Sequence, residues 1–506
     1  MRKLFPHPSP LQKGEGISTH PPRPLGEGSR VRATALLISL TLAGCAVGPI
    51  YQRPEVPVPA QWQINIQQAN DFANTAWWEQ FRDPVLDNLI QTALRENKDV
   101  QIAAARVEEY MGRYGVTRSA QFPQVSANAD AARTRLSESP PQTTGKNPGN
   151  SFQINLGVSF ELDLWGKLRS ATEAARADLL ATEEARRTVI LTLVSQVADG
   201  YVRLLDFDRQ MAITEATLKT RSEAVRINGL RFKAGLISEL DYQQAVAEYQ
   251  NAAVQIPRLE RLIIQQENAI NLLLGRNPGK ISRGVPLDRL ALPRVPGGLP
   301  SDLLERRPDI RQAEQQLIAA NALIGVAKAA FFPSISLTGL LGVASTDLSD
   351  LFKGPSKTWQ FGGTLAQPLF TGGALTGQLQ AAEAVQQQAL LNYQQVIQTA
   401  FTEVDNSLVA VAKLREQLKD EAAQVNALQR YLDLATLRYN NGYSDYLTVV
   451  DAERNLYTAQ LQYVQDQGNL FIALVDLYKA MGGGWVNEAE QMTAPSTKVV
   501  ASSPPG

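Results

Sequence analysis

The chain has 506 residues, with 49 Lys and Arg against 50 Asp and Glu, one Cys and two His. A net charge of −1 offers no basic field for holding nucleic acid. His7, His20 and the single Cys45 all lie near the start, so a mature chain beginning at Cys45 has no His and no free thiol. That excludes His-based acid–base work, Ser-His-Asp and Cys-His triads, and zinc sites built on His or Cys. Carboxylate chemistry alone stays open, and the expectation is a non-enzyme with no catalytic residue, no metal and no cofactor.

Residues 1–44 read as a signal peptide with an N-terminal extension. Ala33 to Gly44 is an apolar run behind Arg30 and Arg32, too short for a spanning helix, which needs about 20 residues, and suited to a secretory signal. In residues 1–30, Pro10-Leu11-Gln12-Lys13-Gly14-Glu15-Gly16 is echoed by Pro24-Leu25-Gly26-Glu27-Gly28, which suggests a start nearer Val31. The run ends in Leu42-Ala43-Gly44-Cys45, similar to a bacterial lipobox in which Cys45 is acylated. The competing reading is a buried Cys in a short core segment. Residues 45–84 form a tether that Pro49, Pro54, Pro57 and Pro59 keep extended.

The remainder is an internal duplication, expected over 85–275 and 300–482, with a linker at 276–299 and a tail at 483–506. Phe122-Pro123-Gln124-Val125-Ser126 recurs as Phe332-Pro333-Ser334-Ile335-Ser336, and Leu230-Arg231-Phe232 as Leu437-Arg438-Tyr439. Ser151-Phe152-Gln153-Ile154 likewise recurs as Thr358-Trp359-Gln360-Phe361. Each half opens with a helix of about 30 residues (near 86–118 and 301–329), followed by a β-hairpin (121–162 and 331–369). Alternation such as Phe152, Ile154, Leu156, Val158 and Phe160 against Gln153, Asn155, Gly157 and Ser159 marks the strands. A long helix follows (Lys167–Leu230 and Leu375–Arg438), Pro-free and rich in good helix formers. It is long enough to extend about 96 Å. Each half closes with a shorter helix, Asp241–Leu274 or Thr448–Met481. The two shorter helices of a half, laid end to end, match its long one.

Ten-residue strands with apolar-out, polar-in alternation fit an outer-membrane barrel. Open sheet edges are not tolerated in lipid, and four strands cannot close a barrel, so the chain must supply a share of a common one. The alternative is a soluble four-stranded sheet capping a helical bundle.

Leu299-Pro300-Ser301-Asp302-Leu303-Leu304-Glu305-Arg306-Arg307-Pro308-Asp309-Ile310, Phe331-Phe332-Pro333-Ser334-Ile335-Ser336 and Met481-Gly482-Gly483-Gly484-Trp485 together resemble the TolC-like outer-membrane efflux proteins, in their NodT-type lipoprotein branch. The resemblance covers about 46–486. It implies a mixed α/β membrane protein: a homotrimer with a 12-stranded β-barrel, four strands per chain, continued by a long α-helical, coiled-coil-like periplasmic tunnel. It implies the outer membrane of a Gram-negative bacterium and the role of exit duct for small molecules in a tripartite efflux system. The implied partners are a periplasmic adaptor (membrane fusion protein), an inner-membrane pump of the RND type and outer-membrane lipid, with no nucleic acid. A duct for type I protein secretion and a non-pore, lipid-anchored envelope scaffold are the competing readings.

The same resemblance assigns adaptor-docking tips to Ala234-Gly235-Leu236 and Asn441-Gly442-Tyr443. It assigns a periplasmic gate to Leu447, Asp451 and Arg454, assisted by Leu240 and Asp241, with Thr448 where relatives carry a second acid. Leu447, Asp451 and Arg454 fall at i, i+4 and i+7 on one helical face. The plainer alternative for Asp451 and Arg454 is an ordinary surface ion pair.

Overall fold

The computed structural model describes residues 47–59, 62, 76–137, 147–295 and 300–483. Cys45, Leu299, Gly484 and Trp485 lie outside them. After a 3-10 turn (Trp77–Phe81), α1 spans Pro84–Glu96 and α2 spans Lys98–Ser119. Asp83 caps α1, accepting from the Val85 amide, and Pro84 takes the first helical position, where no amide is needed. The single helix expected near 86–118 is therefore two helices. Asn97, in an extended conformation, ends the first and caps the second through Val100 N–H.

The sheet follows the order β1-β2-β3-β4, antiparallel throughout, over Gln124–Thr134, Gly149–Leu162, Ser334–Ser345 and Lys357–Ala366. Register separates the two faces. Ala127, Leu156, Leu341 and Trp359 align across all four strands, as do Val125, Val158, Gly339 and Phe361. On the other face Asn128, Asn155, Gly342 and Thr358 align. Among the described residues only β2 and β3 are paired on both sides; β1 and β4 present open edges.

Two helices of 67 residues each, α3 (Lys167–Lys233) and, in the second half, α7 (Ala374–Asn440), leave the sheet. Left-handed Gly166 and Gly373 stand immediately before them. In the first half α4 (Glu239–Ala253) and α5 (Gln255–Leu273) return toward the sheet. In the second half α6 (Pro308–Ala329) precedes the hairpin, and α8 (Tyr446–Ala480) returns after α7. The unbroken helix expected over Asp241–Leu274 is interrupted at Val254. Pro257 supplies no amide to the Ala253 carbonyl and its ring crowds that turn. Val464, at the matching place in α8, imposes no such break.

The returning helices meet the entering ones end to end. Asn97 Nδ2 donates to the Leu273 carbonyl at 2.8 Å, and Arg307 Nη1 donates to the Ala480 carbonyl at 3.0 Å. These are equivalent positions in the two halves. Each binds a helix-terminal carbonyl that has no partner within its own helix. Arg307 is buried and also reaches Asp309 at 2.9 Å and Glu403 at 2.7 Å. Left-handed Gly275 and Gly482 turn the chain tightly against Glu96 and Arg306 there.

Two cores flank these junctions. One gathers Trp77, Phe81, Leu86, Ile90, Val194 and Tyr478; the other gathers Leu303, Ile310, Tyr393, Ile397, Val404 and Leu474. At the first, buried Asp83 accepts from Tyr201 Oη at 2.8 Å and from the Val285 amide at 2.9 Å, while Tyr201 Oη accepts from the Gly284 amide at 2.9 Å.

The tether is not free of the body. Val47 N–H donates to the Trp165 carbonyl at 3.3 Å, and Asn321 Nδ2 to the Pro49 carbonyl at 3.0 Å. Tyr51 reaches Glu314 at 3.2 Å, and Arg53 reaches Glu314 at 3.0 Å and also Glu305. Residues 47–53 thus lie as a strap along α6, starting at the foot of the sheet.

Two stability outcomes follow from the core. Tyr201→Phe strands the Gly284 amide and removes a donor from Asp83, so it should cost about 1–3 kcal/mol in denaturant unfolding; an unchanged midpoint would contradict that network. Burial, with Asp476 nearby, raises the Asp199 carboxyl to about 7. The folded form therefore holds a proton that the unfolded form releases near pH 4, and stability from this group grows as pH falls from about 7 toward 4. Asp199→Asn should flatten that slope in thermal melts between pH 5 and 8.

Candidate functional site

Far along α3 and α7 from the sheet, both long helices end alike. Gly235 (φ 71°) and Gly442 (φ 77°) are left-handed. The Leu236 amide bonds the Arg231 carbonyl at 2.8 Å and the Gly235 amide bonds the Phe232 carbonyl at 2.9 Å. Tyr443 bonds Arg438 at 2.9 Å and Gly442 bonds Tyr439 at 3.0 Å in the same pattern, the paired closure typical of a glycine-terminated helix. A Cβ at either glycine would meet nothing within 4 Å. Backbone conformation, rather than crowding, requires glycine at both places.

Ala234 and Asn441 cap the two helices, and Asn441 Nδ2 reaches back to the Leu437 carbonyl at 2.7 Å. Beyond them the surface is apolar and open: Leu236 is 74% exposed, Tyr443 76%, Leu240 67% and Leu447 54%. The two tips adjoin. Arg231 Nη1 donates to Tyr439 Oη at 2.9 Å, and Ala245 of α4 packs with Tyr446, Val449 and Ala452 of α8.

Leu447, Asp451 and Arg454 share one face over the first turns of α8. Arg454 Nη2 donates to Asp451 Oδ1 at 2.9 Å, with both side chains substantially exposed. Asn455 Nδ2 donates to the other carboxylate oxygen at 3.1 Å, a third member that the sequence did not suggest. Leu240 and Asp241 occupy the opening of α4. There Asp241 has a local duty: its amide bonds Ser238 Oγ at 3.2 Å while its carboxylate accepts from the Ser238 backbone at 3.2 Å and hydroxyl at 2.8 Å. This reciprocal cap fixes the helix start. Thr448 plays the corresponding part in the second half, its hydroxyl donating to Asp445 at 2.7 Å. That hydroxyl, then the Thr448 amide, holds the Asp445 carboxyl below its ordinary range.

Behind the exposed face lies a buried clamp with no one-dimensional signature. Arg221 of α3, 2% exposed, reaches the Glu248 carboxylate at 3.0 Å and the Glu248 carbonyl at 2.7 Å, with Tyr457 of α8 beneath its guanidinium at 5.3 Å. Glu453 points to this side; burial raises its carboxyl, Arg221 opposing and Glu248 reinforcing the shift. Arg221, Glu453, Tyr457 and Gln429 border an open cavity of about 450 Å³ between α3, α7 and α8. Among the described residues no group of three or more Asp, Glu, His or Cys converges as a metal cage.

The model of the outer membrane efflux protein family matches residues 89–276 and 299–483. The chain is 40% identical over 458 residues to the probable efflux pump outer membrane protein TtgC of Pseudomonas putida, covering 89% of this chain and 95% of that one. It is 36% identical over 454 residues to the cation efflux system protein CusC of Escherichia coli, covering 88% and 97%. The crystal structure of the Campylobacter jejuni CmeC outer membrane channel superposes with a TM-score of 0.83 at 28% identity, covering 89% and 98%. The fold is accordingly that of the trimeric outer-membrane channels, with four strands per chain in a shared β-barrel and a long α-helical tunnel below it. The chain belongs to the outer membrane efflux protein family.

Proposed function

We propose that three copies form the outer-membrane exit duct of a tripartite efflux system, passing small molecules outward from a periplasmic adaptor and an inner-membrane pump of the RND type. One observation carries this reading. A single chain joins a sheet with a lipid-compatible face to two 67-residue helices that end in exposed apolar turns about 100 Å away. Relatives are named for toluene, antibiotic and cation efflux, which supports small toxic compounds as cargo. The duct transforms nothing; selection and energy belong to the inner-membrane partner.

The apolar turns at Ala234-Gly235-Leu236 and Asn441-Gly442-Tyr443 are the adaptor-docking tips in this reading. Leu447, Asp451 and Arg454 line the periplasmic gate, with Leu240 at its side. Three copies bring three carboxylates toward one axis, where a ring of Asp attracts cations and Arg454 restrains it. Asp241 contributes through the cap that sets the angle of α4. Cys45 is the lipid-bearing residue. The seating of Val47 on Trp165 supports this, because two residues span at most about 7 Å, which keeps an acyl chain at the foot of the barrel.

Asp451→Ala combined with Arg454→Ala should raise single-channel conductance above wild type and admit large antibiotics such as vancomycin. An exposed pair is worth under about 1 kcal/mol, so conductance and cation selectivity identical to wild type, with trimers intact, would reduce the pair to a surface contact. Cys45→Ala should abolish palmitate labelling while leaving an embedded, conducting trimer, since the barrel strands embed the trimer independently of the lipid tether. Retained label would overturn the lipid assignment, and a soluble product would overturn the barrel-anchored reading.

A further inference from the structure

The four strands carry four charged side chains, and the register sorts them by sign. Asp130 of β1 and Glu161 of β2 fall on the polar face that turns to the lumen. Asp130 stands opposite Gln153, which donates to it at 3.2 Å, and Glu161 stands opposite Ser336. Arg133 of β1 and Lys357 of β4 fall on the apolar face instead. They are in step with Ala127, Ala129 and Ala131 on β1 and with Trp359, Phe361 and Leu365 on β4. Arg135 continues the alternation just past the end of β1. All three cations are exposed, and none has an ion-pair partner among the described residues.

Their height in the sheet places them at the outer surface of the membrane. The helices join the sheet at Gln124, Leu162, Ser334 and Ala366, so the loops after β1 and before β4 mark the external end. Arg133 lies nine residues along β1 from Gln124, and Lys357 nine residues along β4 from Ala366. At about 3.3 Å per residue and a tilt of about 40°, each stands about 23 Å above the foot of the sheet. The apolar band of such barrels is about 25 Å tall. Trp359 marks the same margin separately: two residues below Lys357 on the same face, it is 71% exposed and tilted against Phe361 at 5.8 Å. Indole rings gather where lipid chains give way to headgroups. A cation facing lipid is strongly unfavourable at mid-bilayer and nearly neutral at that level, where its stem lets the charge reach the headgroups. Asn147 closes the hairpin mouth beside Arg135, donating to the Leu136 carbonyl and accepting from the Leu136 amide, both at 2.9 Å.

The cations are also confined to the two edge strands. Across the ladder Arg133 faces Asn150 of β2, and Lys357 faces Val343 of β3, both uncharged. In the shared barrel each β4 stands beside the β1 of a neighbouring copy. Arg133 and Arg135 of one copy and Lys357 of the next therefore gather at one joint, with no strand carboxylate on that face. We infer that each joint binds a phosphate of lipopolysaccharide, the phosphorylated glycolipid of a Gram-negative outer leaflet, through Arg133, Arg135 and Lys357. Guanidinium groups match phosphate oxygens in paired, charge-assisted hydrogen bonds. The acyl chains have a place as well: Ala127, Ala129 and Ala131 leave the lipid face of β1 low beside Leu156, Ile154 and Phe152 of β2. The inference rests on the trimeric barrel and names the lipid held at its outer rim.

Titration of the purified full-length trimer with lipopolysaccharide in mild detergent, read by native mass spectrometry, tests it. Arg133→Ala with Arg135→Ala and Lys357→Ala should weaken binding about a hundredfold, at roughly fivefold for each cation near an anionic surface. Arg133→Lys with Arg135→Lys should keep most of the affinity, and Asp130→Asn on the lumen face should leave it unchanged. Lipopolysaccharide stripped of its phosphates should bind wild type as weakly as the intact lipid binds the triple variant. Millimolar inorganic phosphate, or phosphatidylglycerol at equal concentration, should not displace the bound lipid. Should the triple variant fail to form trimers, Lys357→Gln alone still reads the site through a loss of about fivefold. Unchanged affinity in a trimeric variant, equal binding of the dephosphorylated lipid, or displacement by either competitor would overturn the site while leaving the duct standing. Wild-type protein that does not enter lipid vesicles would remove the barrel itself, and the site with it.

Discussion

The architecture depends on how each returning helix ends. A helix leaves its last carbonyls without internal donors, and in both halves the following or preceding helix answers one of them. Asn97 answers Leu273, and Arg307 answers Ala480. Because the answer comes from the start of another helix, two shorter helices become one continuous rail alongside a 67-residue neighbour. Sheet and tips are thereby held a fixed distance apart by backbone groups that would otherwise lack partners. The arrangement also explains a stretch of sequence. Arg306-Arg307-Pro308-Asp309 and Met481-Gly482 are far apart in the chain, yet they meet at this junction, where Gly482 passes against Arg306 and Arg307.

Local periodicity revealed most of the fold. The strands announce themselves by alternation, and the long helices by an absence of Pro across more than a hundred residues in each half. Breaks at Asn97 and Val254 were harder to see. Asn97 looks like any polar residue until the Leu273 carbonyl is placed beside it, and Pro257 lies inside an otherwise helical pattern. The docked strap was equally hidden, because prolines show extension but not what the extended chain lies against. Tyr51 and Arg53 carry that information through partners more than 250 residues away, Glu314 and Glu305 among them.

At the tips the exposed residues were legible and their supports were not. Gly235 and Gly442 mark the turns, and Leu447, Asp451 and Arg454 fall on a face that spacing alone identifies. Arg221, Glu248 and Tyr457 come from three different helices, and no spacing rule joins them. Asp241 shows the opposite case. Its position suggested a part in the aperture, while its hydrogen bonds with Ser238 give it the work of starting a helix.

The interruption at Val254 makes the two halves mechanically unequal. α8 is a continuous rod of 35 residues, whereas the matching stretch is divided into pieces of 15 and 19. Bending a rod strains its whole backbone ladder, but a joint that already lacks a rung deflects at one point. A wall assembled from both kinds alternates stiff staves with hinged ones. The joint at Val254 is the place where a bend in such a wall costs least, because the Ala253 carbonyl there receives no amide from Pro257.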